Sequence, residues 1–119
     1  MIGLVSVERA ELLGQLERLY RGHGWLVNHD EDGTLCAAGP GGVTWLGTAV
    51  VPEDLASDRL ESKLLDLAGR RMPKGGELCP LDVLPAPECE AELRQLLTSI
   101  GLDRRPHVSV YSLPDSLAA

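Results

Sequence analysis

The sequence predicts an α/β (α+β) fold, in which a three-stranded antiparallel meander is extended to a mixed five-stranded sheet flanked by three helices. Three observations predict this fold. Leucines recur at helical spacing in three separate segments. Three short β-like runs, separated by glycine-rich turns, follow the first of these segments closely, as in a meander. Each remaining β-like run comes directly after a helix, which permits a crossover connection.

The first helix is expected over residues 7–21. Ser6 is a suitable N-cap, because its hydroxyl can accept a hydrogen bond from a free backbone amide. Gly22 and Gly24 end the helix, since glycine adopts the left-handed conformation at little cost. The apolar side chains that share one helical face are Leu12, Leu13, Leu16, Leu19 and Tyr20.

The meander is expected over residues 25–29, 34–38 and 43–51. The turns between these strands read "DEDG" and "GPGG", which is typical turn chemistry. The third run is the longest and is apolar on both faces, with only Thr44 and Thr48 as polar breaks. A strand covered on both faces has this pattern, so we expect it at the centre of the sheet.

Two helix–strand pairs complete the predicted fold. A helix within residues 54–70 precedes a strand within residues 77–85, and a helix over residues 88–101 precedes a strand over residues 107–113. No linker divides the chain, so residues 1–119 are expected to form one domain, with residues 114–119 as a frayed tail.

Composition and charge restrict the classes of function. The chain has 119 residues and a net charge of −7, which disfavours general binding to nucleic acid, because such binding depends on Lys and Arg neutralising phosphates. No apolar segment approaches the length of a membrane span, and the N-terminus lacks a basic signal-peptide region. The three cysteines are an odd number and lack zinc-site spacing. The sequence therefore predicts a reduced, cytoplasmic protein that does not engage a membrane.

The acidic turn contains side chains that can ligate a metal ion. Asn28, Asp30, Asp32 and Gly33 match the first half of a calcium-binding EF-hand loop, but the twelfth position, which requires Glu, is Gly39. The flanking segments are also strands and not helices. We therefore expect a solvated hairpin turn, and we expect no metal site, no cofactor and no catalytic residue.

The order of helix, three-stranded meander, helix and strand resembles the core of the PD-(D/E)XK, or restriction-endonuclease-like, superfamily. The stretch "LERLYRGHGWLV" is similar to that family's first helix and first strand, and "SKLLDLAGRRMPKGGELCPLDVLP" to its later helix and strand. The resemblance covers roughly residues 8–84. It implies an Asp on the second strand and Glu-x-Lys on the third, which bind magnesium. Because "TLCAA" and "VTWLGTAV" contain no carboxylate and no Lys, the resemblance implies the fold without the nuclease chemistry.

Two basic clusters are the candidate binding residues. Both precede strands that helical crossovers would make parallel, so both should lie at the same edge of the sheet and could bind an anion or an acidic partner. The alternative is a pair of ordinary solvated loops, because Arg is favoured at helix C-termini. The candidate residues are Arg70, Arg71, Lys74, Arg104, Arg105 and His107.

The sequence favours a non-enzymatic interaction or regulatory protein with an unidentified protein partner, and it is compatible with an inactive nuclease-like domain. One alternative is a weak nucleic-acid or phosphate binder that uses the Arg clusters. A second alternative is a divalent-metal phosphodiesterase with displaced carboxylates. A partner-binding protein should expose an apolar patch, whereas a phosphate binder should present a positive concavity.

Overall fold

A mixed five-stranded sheet forms the centre of the computed structural model, which describes residues 9–30, 34–72 and 76–111. The strand order is β1-β2-β3-β4-β5. The first three strands are antiparallel neighbours, whereas β3, β4 and β5 run parallel to one another. The predicted fold class is therefore confirmed. The strands are β1 (Leu26–His29), β2 (Leu35–Ala38), β3 (Thr44–Val50), β4 (Leu81–Pro85) and β5 (Val108–Val110).

The helices cover the two faces of the sheet unequally. They are α1 (Arg9–Gly22), the single-turn α2 (Pro52–Leu55), α3 (Arg59–Ala68) and α4 (Glu90–Ser99). Leucines of α3 and α4 pack with Leu46, Leu81 and Val83 on one face. The other face packs against α1 through Leu12, Leu16 and Tyr20. No helix among the described residues is long and apolar enough to cross a membrane.

The helix predicted within residues 54–70 is α3 (Arg59–Ala68), and the single-turn α2 (Pro52–Leu55) precedes it. At the start of α2, the Asp54 carboxylate accepts a hydrogen bond from the Val51 N–H at 2.9 Å. At the start of α3, the Ser57 hydroxyl accepts a bond from the Arg59 N–H at 3.1 Å. The Ser57 bond favours a separate start for α3, because Ser side chains compete with helical backbone bonds.

Strand β4 begins at Leu81, directly after Pro80. Proline cannot donate to a ladder, but the Pro80 carbonyl accepts a bond from the Leu46 N–H at 2.8 Å. Several sequence predictions lie outside the described residues: the Ser6 cap, the turn residues 31–33, Lys74 and the tail at 114–119.

Strand β3 is the middle strand, as its apolar pattern predicts. Leu46 is 2% exposed and packs on the face covered by α3 and α4. Trp45 points to the opposite face and is only half-buried, against the cluster around α1. The two residues thus lie on opposite faces as expected, but Trp45 contributes to a surface as well as to the core.

We predict that Leu46→Ala lowers the free energy of unfolding by about 2–5 kcal/mol, because it leaves a cavity beneath two helices. Leu26→Ala is the control, since Leu26 is 72% exposed on an edge strand and should change stability by less than about 0.5 kcal/mol. Denaturant unfolding measures both values. Equal losses for the two variants would contradict the central placement of β3.

Candidate functional site

An open groove of about 420 Å³ lies on the α1 face of the sheet. Helix α1 packs on this face against β1, β2, β3 and β4, and the groove lies beside its C-terminal end, over β4 and β5. The chain has two tryptophans, two tyrosines and no phenylalanine, and every one of these aromatic residues lines the groove. We call this site the aromatic groove; its main residues are Tyr20, His23, Trp25, Trp45, Asp82 and Tyr111.

The floor of the groove is a contact between α1 and the centre of the sheet. The Tyr20 hydroxyl donates a hydrogen bond to Asp82 Oδ2 at 2.8 Å. To reach Asp82 on β4, the tyrosine ring passes over Gly47, the register partner of Asp82 on β3. A Cβ atom at position 47 would stand 2.8 Å from the Tyr20 hydroxyl oxygen, a separation at which one of the groups must move. Glycine at this position therefore makes the contact possible.

The wall of the groove is a stack of aromatic rings. Trp25 lies between Tyr20 and Trp45, with ring centroids 5.7 Å and 4.9 Å away and interplanar angles of 25° and 27°. His23 packs on Trp25 with a centroid separation of 5.1 Å. Gly39 supports the stack from the sheet, because a Cβ there would meet the Trp25 ring at 3.3 Å. The backbone at Gly39 and the neighbouring rings therefore both restrict the position of the Trp25 ring.

The mouth of the groove is apolar and partly exposed. Leu19 on α1 and Tyr111 after β5 are 37% and 39% exposed. Ser109, the register partner of Asp82 on β5, also lines the groove. Its hydroxyl can both donate and accept hydrogen bonds. The groove therefore combines an apolar entrance with polar groups along its floor.

Asp82 is the buried charge-bearing group of the site. It is 9% exposed, and burial raises the pKa of its carboxyl, although the hydrogen bond from Tyr20 opposes this. The indole N–H of Trp45 lies near this carboxylate and also lowers its pKa. Trp45 Nε1 nevertheless does not reach hydrogen-bonding geometry with an acceptor in the described residues. Burial likewise raises the pKa of Tyr20, so its hydroxyl stays protonated and acts as a donor.

No cation pairs with Asp82 within the described part of the chain, where the ion pairs involve other carboxylates. Buried carboxylates are usually paired with a cation, because an isolated buried charge is costly. The groove can therefore accept a cationic or hydrogen-bond-donating ligand group. It offers that ligand an aromatic wall and one carboxylate on the floor.

The described residues of the two predicted basic clusters lie at the same edge of the sheet. Strands β4 and β5 are parallel, and the His107 carbonyl accepts a bond from the Leu81 N–H at 2.8 Å. The His107 ring lies against the end of α3, with Nε2 2.8 Å from the Ala68 carbonyl oxygen. The loops that precede the two strands are therefore neighbours, as the crossover argument requires.

The charge available at that edge is smaller than the sequence suggests. Arg70 is paired with Asp30 at 2.9 Å and with Asp66 at 3.3 Å, while Arg71 donates to the Gly76 carbonyl. Arg104 and Arg105 are exposed and form no ion pair with another described residue. Lys74 lies outside the described residues. Binding of an anion at this edge stays a prediction.

The residues around the acidic turn do not assemble a metal site in the described ranges. Asp30 is paired with Arg70, and its Oδ1 lies 3.7 Å from the Cys36 thiol. Within residues 9–30, 34–72 and 76–111, no group of three His, Cys, Asp or Glu side chains is placed to hold a metal ion. Asp32 lies outside these ranges.

Sequence reasoning missed the aromatic groove. Asp82 stands alone in the apolar run "CPLDVLP", and a lone carboxylate in a buried strand is a signal for a functional residue. The concentration of all the aromatic residues at one place has no sequence signal, because it depends on how α1 crosses the sheet. Comparison with protein families, curated proteins and solved structures finds no match.

We predict that Gly47→Ala lowers the free energy of unfolding by about 1–3 kcal/mol, the usual result of overpacking, because the added methyl group displaces Tyr20. Gly14→Ala is the control, since Gly14 lies in α1 with open space around it. That change should raise stability by about 0.5–1 kcal/mol. If the two variants are equally stable in denaturant, the close approach of Tyr20 to β3 is wrong.

We predict that Asp82→Asn gains stability relative to the wild type as the pH rises from about 4. In the folded protein the pKa of the Asp82 carboxyl is raised above its ordinary value of 3.8. As the pH rises, the carboxyl of the unfolded chain therefore loses its proton first. The wild type loses stability until the pH passes the folded-state pKa. Below the unfolded-state pKa both states are protonated and this effect vanishes. Unfolding free energies of both proteins between pH 3 and 8 measure the difference. A difference that shrinks as the pH rises would contradict the buried state of Asp82.

Proposed function

We propose that this chain is a non-enzymatic interaction protein of the cytoplasm, and that it receives a segment of a partner protein at the aromatic groove. The observation that carries the proposal is the meeting of every Tyr and Trp of the chain at one groove, above a buried carboxylate. Tyr and Trp are enriched at protein interfaces and contribute most to binding when they line pockets.

The shape of the groove favours a side chain presented by a partner over a free small molecule. Its volume of about 420 Å³ lies within the range of ligand sites. Small-molecule sites, however, bury most of the ligand surface, whereas this groove is open along a mouth that includes Leu19 and Tyr111. An anchor side chain can fill the floor while the partner backbone covers the mouth.

The order of elements supports the proposed relation to inactive nuclease-like domains. Helix α1, the meander β1 to β3, a helical segment and β4 follow one another as that resemblance requires. The second strand, Leu35–Ala38, and the third, Thr44–Val50, contain neither a carboxylate nor a Lys. Asp30, the nearest described carboxylate before β2, is paired with Arg70. These features favour a binding role over phosphodiester hydrolysis.

The phosphate-binding alternative has weaker support. The basic loops lie at one edge of the sheet, but Arg70 is compensated by two carboxylates. The remaining exposed cations belong to a chain with a net charge of −7. The phosphodiesterase alternative would need a set of metal ligands, and the described residues offer none.

We predict that at least one amino acid blocked with N-acetyl and N-methylamide groups binds the groove at millimolar concentration. This is the affinity expected for so small a probe. The readout is the pair of indole N–H resonances of Trp25 and Trp45, the two tryptophans of the chain. Both should shift in a saturable way, because both rings line the groove.

Tyr111→Ala should weaken this binding, because it removes an aromatic side chain from the mouth. Leu65→Ala is the matched control, since Leu65 is 45% exposed on α3, on the opposite face of the sheet. The proposal fails if no blocked amino acid shifts either indole resonance up to about 50 mM, well above the millimolar range expected for such probes.

A further inference from the structure

We infer that the group which enters the aromatic groove is a lysine side chain of the partner protein, and that its ammonium group pairs with Asp82. This inference rests on the proposed function and names the chemistry of the occupant. The lysine stem would lie along the aromatic wall, and its terminal nitrogen would donate to the carboxylate on the floor.

Asp82 lacks a charge partner among the described residues. Asp82 is nine-tenths buried and receives a hydrogen bond from the Tyr20 hydroxyl. No cation pairs with it within the described residues. A carboxylate has about four acceptor positions, so Tyr20, the nearby Trp45 N–H and an ammonium group can all be accommodated. A bound cation keeps the carboxylate ionised, which also strengthens the bond from the Tyr20 hydroxyl.

The aromatic rings do not form a cage. Recognition of quaternary ammonium uses an aromatic cage that surrounds the cation. Here the three rings stack on one another, with interplanar angles of 25° and 27°, so their faces cover each other and do not surround a cation. A carboxylate without such a cage suits a cation that still has N–H groups to donate. A primary ammonium has three such donors, whereas a trimethylated one has none.

The geometry at Asp82 favours lysine over arginine. Arginine binds carboxylates best through a planar fork that uses both oxygens. Asp82 Oδ2 already accepts the Tyr20 hydrogen bond at 2.8 Å, so a bidentate fork would have to share that oxygen with Tyr20. A lysine ammonium is a compact point charge and needs only one free acceptor position. Ser109, beside Asp82 on β5, offers a further hydroxyl acceptor.

The charge of the whole chain agrees with a basic occupant. The net charge is −7, and an acidic protein attracts cationic partner segments over distances of about a Debye length. The paired Arg70 packs beside Asp30 and Asp66, away from the groove. A lysine with its long apolar stem also suits a groove whose mouth is apolar and whose floor is charged.

The test compares blocked lysine with four relatives by the indole resonances of Trp25 and Trp45. Blocked norleucine keeps the apolar stem without the ammonium, Nε-acetyl-lysine removes the charge, Nε-trimethyl-lysine removes the donors, and blocked arginine changes the geometry. Lysine should bind at least about tenfold more tightly than norleucine and Nε-acetyl-lysine, because of these three side chains only lysine places a positively charged donor beside the carboxylate. Lysine should also bind more tightly than the trimethylated and arginine probes.

Asp82→Asn should remove the preference for lysine over norleucine, whereas Asp66→Asn, the same change on the exposed surface of α3, should leave it intact. If Asp82→Asn does not fold, the comparison of lysine with norleucine binding to the wild type still tests the inference. Equal binding of lysine and norleucine overturns the inference and leaves the proposed function standing. Preference for trimethyl-lysine or arginine also overturns it. Failure of every probe to shift the indole resonances overturns the proposed function as well.

Discussion

The contact between Tyr20 and Asp82 is the constraint on which the candidate site depends. It joins the end of α1 to β4, with a separation of 2.8 Å between the Tyr20 hydroxyl oxygen and Asp82 Oδ2. It exists only because Gly47 leaves room for the ring above β3. Once Tyr20 is fixed, Trp25 stacks on it and Trp45 stacks on Trp25. The hydrogen bond between Tyr20 and Asp82, together with the lack of a side chain at Gly47, therefore sets both the floor and the wall of the groove.

Much of the fold could be predicted from the sequence, because its main signals are local. The leucine stripes of α1, α3 and α4 and the apolar run of β3 each report which face is buried. The parallel pairing of β4 and β5 followed from the helical crossovers before them. The single-turn α2 was not predicted, because its start depends on the bond from the Val51 N–H to the Asp54 carboxylate, which the leucine spacing does not reveal.

The site was harder to predict, because it is made by residues distant in the chain. Tyr20, Trp45 and Asp82 belong to three elements, and each has an ordinary local role as a helix, strand or core residue. Sequence reasoning instead selected the Arg clusters, which are visible as runs of like charge. Their placement at one edge agrees with that reasoning, but pairing of Arg70 with Asp30 and Asp66 depends on the folded arrangement. The feature that distinguishes the groove from those loops is a buried carboxylate, Asp82, that pairs with no cation among the described residues.

The most direct test of this contact is a double-mutant cycle between Tyr20→Phe and Asp82→Leu, measured by denaturant unfolding at neutral pH. Both changes roughly keep the size of the side chain, and they remove the hydroxyl donor and the carboxylate acceptor respectively. We expect a coupling free energy of about 1–3 kcal/mol, because the two groups share a buried hydrogen bond to a charged acceptor. Losses that add to within about 0.3–0.5 kcal/mol, as for independent sites, would contradict the claim that this contact organises the groove.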